Sequence, residues 1–436
     1  MRPSTAPIAG FACSARTDAG RRRAGRVALR SHRSARTVLR QLALAGLIAA
    51  LGGCGLLPRN AVPPELTAEA TLPDFPDVRA WAGKPSPAME RDFEQSFRQE
   101  SLDDFPRGAD GVIRYPHLAL SGGGANGAFG AGFLNGWTKT GRRPVFKIVS
   151  GVSTGALMAP FAFLGPAYDG ALREFYTTTA SRDIFAIGSV LVSLLRGDSL
   201  ADTGPLASLI ARHVDDELLA KVAAAHGAGQ RLYVGTVDLD AQQFVVWNMG
   251  AIAASGRPQA LELFRQVMLA SASIPIAFPP VFFDVEAGGR RYDEMHVDGG
   301  VGARVFLNGG VFRTSDVRAR AGRGAGREDI FVLHNGQLIG DPSPTPRSLR
   351  GIALRVLDGA GRSAVIGDLF RIYAVALRER ADFQWITIPQ GVDLTGVELF
   401  DPAQMLALYE IGYRQALAGP VWSVVPPGLG WEHTTP

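Results

Sequence analysis

Short apolar runs alternate with stretches of helical periodicity along most of this chain. Runs 117–121, 146–150, 231–238, 243–248 and 329–334 are rich in Val, Ile, Leu, Tyr and Phe and end in glycine or polar residues. Each predicts a buried strand. Segments 261–270 and 366–380 predict helices, 401–417 an amphipathic C-terminal helix, and 88–101 a short charged helix. Strands that alternate with helices predict an α/β fold, three layers deep (α/β/α), around a mostly parallel central sheet. No internal repeat interrupts the pattern. The glycine–arginine cluster 318–327 predicts a mobile loop.

Two of the strand-to-helix junctions are framed by glycine. After Leu118-Ala119-Leu120 comes Ser121-Gly122-Gly123-Gly124-Ala125-Asn126-Gly127. After Phe146-Lys147-Ile148-Val149 comes Gly151-Val152-Ser153-Thr154-Gly155. The first junction offers a row of backbone N–H groups at a helix N-terminus, where negative charge is favoured. The second lifts one serine onto a sharp turn in a Gly-x-Ser-x-Gly frame. An anion hole and an exposed nucleophile are the two parts an acyl-transfer enzyme needs. The first loop also satisfies the dinucleotide fingerprint Gly-x-Gly-x-x-Gly. That motif requires an acidic residue about twenty positions on to hold a ribose. No Asp or Glu stands between Asp110 and Asp169, so the nucleotide reading loses its second half.

Serine needs a base, and the residues leave two open. Asp298 sits in Val297-Asp298-Gly299-Gly300, a strand end followed by a glycine turn. His334 ends the apolar run Phe331-Val332-Leu333. Ser153, Asp298 and His334 follow the chain order of an α/β-hydrolase triad, so a Ser–Asp dyad and a Ser–Asp–His triad both stand. The nearly charge-free run 184–195 lies between nucleophile and base and reads as a lid, an acyl-chain wall or a buried helix.

Composition changes the picture mainly at the N-terminus. Arg21, Arg22, Arg23, Arg26, Arg30, Arg33, Arg36 and Arg40 precede the apolar run 42–51, which is too short to span a bilayer and fits the core of a signal peptide. It ends in Leu51-Gly52-Gly53-Cys54, which resembles a bacterial lipoprotein box with Cys54 as the lipidated residue. The other cysteine, Cys13, would leave with the leader, and a cysteine-free body suits an oxidising envelope. Residue Gly55 carries no inner-membrane retention signal, so the expected location is the bacterial envelope, anchored to the outer membrane. Prolines 58, 63, 64, 73, 76, 85 and 87 predict a stiff tether after the anchor. The expected organisation is a signal peptide over 1–53, then anchor, tether and short helix over 54–110. The catalytic body follows over 111–425, with a tail over 426–436. The formal charge of +4 is concentrated in the removable leader, which gives a nucleic-acid partner no support. With two cysteines and no histidine pair in ligand spacing, neither a metal nor another cofactor is suggested.

Gly-Gly-Gly-Ala-Asn-Gly, Gly-Val-Ser-Thr-Gly and Asp-Gly-Gly, taken in order, resemble the patatin-like phospholipase family. The segment 270–280, Ala-Ser-Ala-Ser-Ile-Pro-Ile-Ala-Phe-Pro-Pro, is similar to a stretch of such proteins. The resemblance runs from about residue 115 to the low 300s. It implies a lipid acyl hydrolase that uses a Ser–Asp dyad without histidine. Ser153 is then the nucleophile, Asp298 the base, and Gly122, Gly123 and Gly124 the oxyanion hole, acting on membrane lipid through an acyl-serine. Two features depart from the family. Asn126 stands where family loops often carry Arg or Lys, and 301–307 lacks the usual Asn-x-Pro ending. A triad through His334 and a non-catalytic lipid-binding lipoprotein are the competing readings.

Overall fold

The computed structural model describes residues 59–184, 202–340, 342–394, 398 and 400–429. The leader, Cys54 and all but the first residue of the run 184–195 lie outside the described residues.

One nine-stranded sheet organises these residues. The strands are β1 (Arg79–Trp81), β2 (Arg114–Leu120), β3 (Ile148–Val152), β4 (Arg231–Asp238), β5 (Gln243–Asn248), β6 (Val281–Ala287), β7 (Arg290–Asp298), β8 (Arg327–His334) and β9 (Asp382–Thr387). Their main path is β1-β5-β4-β3-β2-β8-β9, with β7 paired to β4 and β6 to β7. The central run β4-β3-β2-β8-β9 is parallel. Antiparallel partners β5 and β7 flank it through β4.

Period-two alternation sorts side chains onto two faces, and each face is covered by helices. Leu118, Leu120, Val149, Phe331 and Leu333 join one core with the helices Gly127–Lys139, Thr154–Leu164, Ala260–Ala272 and Pro402–Leu417. Their neighbours in sequence, Ala119, Ile148, Val152, Ile330 and Val332, join the opposite cores, beneath Pro87–Gln99 and Leu349–Glu379. The layers are therefore α/β/α, and every residue of β4 is buried, as parallel sheets covered on both faces require.

Three expectations change. The proline-rich segment does not stand off as a tether where it is described. Arg59 pairs with Asp240 and Asp293, Thr71 bridges to Glu286, and Arg79–Trp81 extends the sheet edge. Proline removes N–H donors but leaves carbonyls and side chains free to dock. The 318–327 cluster is not a loose loop: Arg318 is buried against Glu328, and Arg323 donates to Glu100. The helix expected over 366–380 begins at Leu349, capped by the Ser348 hydroxyl on Gly351 N–H. Its early turns face solvent, with Leu349, Ile352 and Val356 exposed, so apolar periodicity does not mark them.

Glu100 ties the capping helix Pro87–Gln99 to the sheet. Its carboxylate takes Lys147 Nζ at 2.6 Å, Tyr115 Oη at 2.9 Å and Arg323 Nε at 3.0 Å, and Lys147 is wholly buried. Removing one partner of such a pair strands the other charge in the core. Glu100→Ala is expected to lower unfolding stability by about 3 kcal/mol, read from the urea midpoint, whereas Arg98→Ala, whose pair is exposed, changes it by less than about 1 kcal/mol.

Candidate active site

The site follows from how strands share the edge of β4. Strand β3 pairs with β4 up to Val152↔Gly235. The next residue of β4, Thr236, pairs with Asp298 at the end of β7. Ser153 leaves β3 where Asp298 arrives on β7, so two residues 145 positions apart meet beside one strand.

Ser153 occupies φ 56°, ψ −128°, a region that costs a non-glycine residue about 1–3 kcal/mol. The strain turns the chain from β3 into the helix Thr154–Leu164 within one residue. Both glycines of the frame are steric requirements. A Cβ on Gly151 would come within 2.2 Å of the Gly155 carbonyl oxygen, and one on Gly155 within 2.4 Å of the Leu120 carbonyl oxygen. The elbow is braced from behind: Ser153 N–H donates to Ser271 Oγ at 3.0 Å, and Ser271 donates to Gly235 O at 2.7 Å. Ser271 belongs to the Ala-Ser-Ala-Ser segment, so part of that motif acts as a buttress.

Asp298 is buried and caps the turn Gly299–Val301, where its Oδ1 accepts Gly300 N–H at 2.6 Å. Its Oδ2 is buried without a well-formed hydrogen bond. Burial pushes the carboxyl up to about 6; the facing Ser153 hydroxyl, the Gly300 N–H and the Arg304 cation each pull it partly back. Serine and aspartate are thus apposed without a tight bond, as in many unliganded sites. A carboxylate poised near neutrality is suited to accept a proton. Gly299 is obligatory here, since a Cβ would meet Gly235 O at 2.3 Å.

The glycine loop passes over Ser153 closely enough that a Cβ on Gly122 would lie 3.1 Å from Ser153 Cβ. Its three amides are not equivalent. Gly122 N–H is already bonded to Arg304 O at 3.0 Å, which removes it from the expected oxyanion hole and makes it a brace. The amides of Gly123 and Gly124 have no backbone acceptor among the described residues. Gly124, at φ 57°, borders the same cleft as Ser153. That cleft is apolar, lined by Leu157, Phe175, Leu206, Phe278 and Met405 among others. Ile184, the first residue of the run read as a lid or wall, also lines it.

His334 is directed elsewhere. Its Nδ1 lies 2.9 Å from Ser121 Oγ, and Ser121 in turn donates to Gly122 O and accepts Asn335 N–H. Burial, with Arg304 and Arg362 nearby, pushes the imidazole down to about 4, so it is neutral at pH 7. It borders a second, polar cleft with Gly122, Gly123, Asn126 and Arg304, and Ser153 is not part of that lining. Its place is to fix the root of the glycine loop.

One further cluster, Asp238, Glu294 and His296, brings three ligand-type atoms within 4.8 Å of one another. Glu294 is already paired with the Arg79 guanidinium, and His296 is bonded to Thr236 Oγ1 and Glu294. These contacts make it an ion-paired network on β4 and β7. Arg304 and Asn335 were not legible as site residues in the sequence, since they belong to no short motif; Ser271 lay in the 270–280 segment, but its role as a buttress rests on the long-range contact with Gly235. The nearest signal was the missing cation at Asn126.

Residues 118–308 match the family model for the patatin-like phospholipase. The matched segment is similar to a patatin-like phospholipase domain, and that family implies lipid acyl hydrolysis. Among solved structures, one titled "Crystal structure of VipD from Legionella pneumophila" aligns with 12% identity and a TM-score of 0.37, covering 72% of this chain and 69% of that one. Comparison with curated protein sequences gives no match. The match spans the glycine loop, Ser153 and Asp298. No helix among the described residues is long and apolar enough to cross a membrane.

The raised Asp298 pKa has two consequences. A base at Asp298 would act only when ionised, and in that role kcat/KM is expected to fall about tenfold per pH unit below roughly pH 6. The folded pKa also exceeds the unfolded value of about 3.9, so the stability this group contributes is present below pH 4 and lost as pH rises through 6. Asp298→Asn is expected to match wild type at pH 4 and exceed its stability by about 2 kcal/mol at pH 8, measured by urea unfolding at both pH values.

Proposed function

We propose that this protein hydrolyses carboxylic esters of membrane lipids, in the manner of a phospholipase A or lysophospholipase, through a Ser153–Asp298 dyad. One observation carries the reading: a strained, buried serine elbow faces a carboxyl that burial has raised to about 6, under glycine amides with no backbone partner.

Ser153 Oγ attacks the ester carbonyl while its proton passes to Asp298 Oδ2. The Gly123 and Gly124 amides hold the oxyanion, each donor contributing of order 3 kcal/mol to the barrier. Collapse of the tetrahedral intermediate breaks the ester C–O bond, and protonated Asp298 returns its proton to the departing alcohol. Water then attacks the acyl-serine while Asp298 accepts the water proton; collapse breaks the acyl C–Oγ bond, Asp298 returns the proton to Ser153 Oγ, and the fatty acid leaves. The acyl chain is held by the apolar cleft beside Leu157, Phe175 and Met405. Each proton has a named carrier, and His334 is required for none of the steps.

A fluorophosphonate probe tests the nucleophile. Wild type is expected to be labelled, Ser153→Ala not at all, and Asp298→Asn at a rate lower by about 10³. Folded wild type that resists labelling refutes the acyl-hydrolase reading.

Attachment to the outer membrane of a bacterial envelope is part of the same proposal. It rests on Leu51-Gly52-Gly53-Cys54 after the apolar run. Metabolic labelling with an alkyne fatty acid is expected to tag the full chain in the membrane fraction and to fail in Cys54→Ala; equal labelling of both refutes the anchor.

A further inference from the structure

The glycine loop separates two clefts of different character: the first almost wholly apolar, the second mixed, with charged and polar side chains beside Val365 and Leu394. On one side lies the apolar cleft that holds Ser153 and Gly124. On the other lies a polar cleft that includes Gly122, Gly123, Asn126, Arg304 and Arg362. An ester whose carbonyl oxygen sits on the loop amides sends its acyl chain to one side and its alcohol portion to the other. The second cleft therefore receives the alcohol.

A Cβ on Gly361 would come 3.0 Å from Arg304 Nη2, and one on Gly300 3.7 Å from Nη1, which places the guanidinium between the Asp298 turn and the helix Leu349–Glu379. Among the described residues, no hydrogen bond or ion pair engages that guanidinium. Asp298 feels this cation but makes no hydrogen bond to it, and the other carboxylates at hand are committed. Asp368 takes Arg304 and Val305 N–H on one oxygen and Arg371 on the other. Asp358 is paired with Arg362. His334 is neutral. The Asn126 side chain makes no capping bond and is also available. Among its lining residues the cleft holds two arginines and one aspartate, and Asp298 and Asp368 lie behind it within the field of Arg304.

We propose that this polar cleft is a subsite for an anionic, phosphate-bearing alcohol portion of the lipid, with Arg304 as its counter-charge. Arg304 then supplies from the far side of the site the cation that is missing at Asn126. A guanidinium fork suits a phosphate better than a carboxylate or a neutral polyol. This assignment rests on the acyl-hydrolase reading of the same site.

The test compares kcat/KM for an anionic lysophospholipid with that for a neutral monoacylglycerol of equal chain length. Any effect of Arg304 on the Asp298 pKa is common to both substrates and cancels in the ratio. Wild type is expected to favour the anionic substrate by about tenfold or more, Arg304→Gln to lose that preference, and Arg304→Lys to keep most of it. A wild-type ratio near one, or a ratio unchanged in Arg304→Gln, overturns the proposal. Calorimetry with sn-glycerol 3-phosphate on folded Ser153→Ala protein reads the subsite without turnover. Binding that weakens about tenfold when Arg304→Gln is added supports the subsite even if no ester is cleaved. Absence of binding overturns it even if esters are cleaved.

Discussion

Three turns must approach one another at backbone distance, and everything at the active site depends on that approach. The glycine loop lies on Ser153, the Ser153 elbow lies on the Leu120 carbonyl, and the Asp298 turn lies on the Gly235 carbonyl. A methyl group at Gly151, Gly155 or Gly299 would sit less than 2.5 Å from a carbonyl oxygen, which no local adjustment absorbs. These glycines set an approach distance between chain segments. Parallel register then makes the approach productive. The carboxyl ends of β2, β3 and β8 open on the same edge, and β7 enters antiparallel where β3 has ended. The glycine loop, Ser153 and Asp298 are brought together by hydrogen-bonded backbone rather than by side-chain packing. Placement of that kind is rigid, as catalysis by orientation requires.

The electrostatics follow from the same closeness. Burial beneath the elbow withdraws Asp298 from water, and its single strong bond, to Gly300, leaves Oδ2 unpartnered. A carboxylate so placed costs stability at neutral pH and gains basicity, the common exchange at active sites. Arg304 moderates that cost from the polar side. The same cation helps to keep His334 neutral, so the imidazole serves as a fixed hydrogen-bonding post for Ser121. A histidine that might have completed a triad is thereby held in the wall of the other cleft.

The parts of the fold and site that the sequence made legible share one physical property: their signals are local. Runs 231–238 and 243–248 coincide with β4 and β5 because buried strands in a covered sheet are mostly apolar, with polar residues confined largely to their ends. The frame around Ser153 and the Asp-Gly-Gly turn could be read because steric necessity restricts several adjacent positions to glycine. What remained hidden was set at long range. β6 and β7 form a hairpin whose outer positions face solvent, so Asp284, Glu286, Arg290 and Arg291 dilute the apolar signal. β1 has three residues and exists because β5 offers it an edge. The docking of 59–82 depends on Asp293 and Glu286, more than two hundred positions away. That Gly122 N–H is spent on Arg304 O could not be seen either, since a triple glycine does not say which amide is free.

The inequivalence of the three loop amides bears on how the site tells substrates apart. With Gly122 bound to Arg304 O, the root of the loop and the Arg304 backbone form one unit. His334 and Asn335 hold the same root through Ser121. Gly123 and Gly124 are left as the donors, with Gly124 on the apolar side and Gly123 on the polar side. The oxyanion position of the proposed mechanism is therefore the dividing line between an apolar cleft and one that carries Arg304. A carbonyl bound there is oriented by its two substituents as well as by its oxygen. A lipid reversed in the site would set its acyl chain against Arg304 and a polar group against Leu157 and Phe175, at a desolvation cost of several kcal/mol. Orientation of the ester is thus a property of the walls, and the dyad itself need not discriminate.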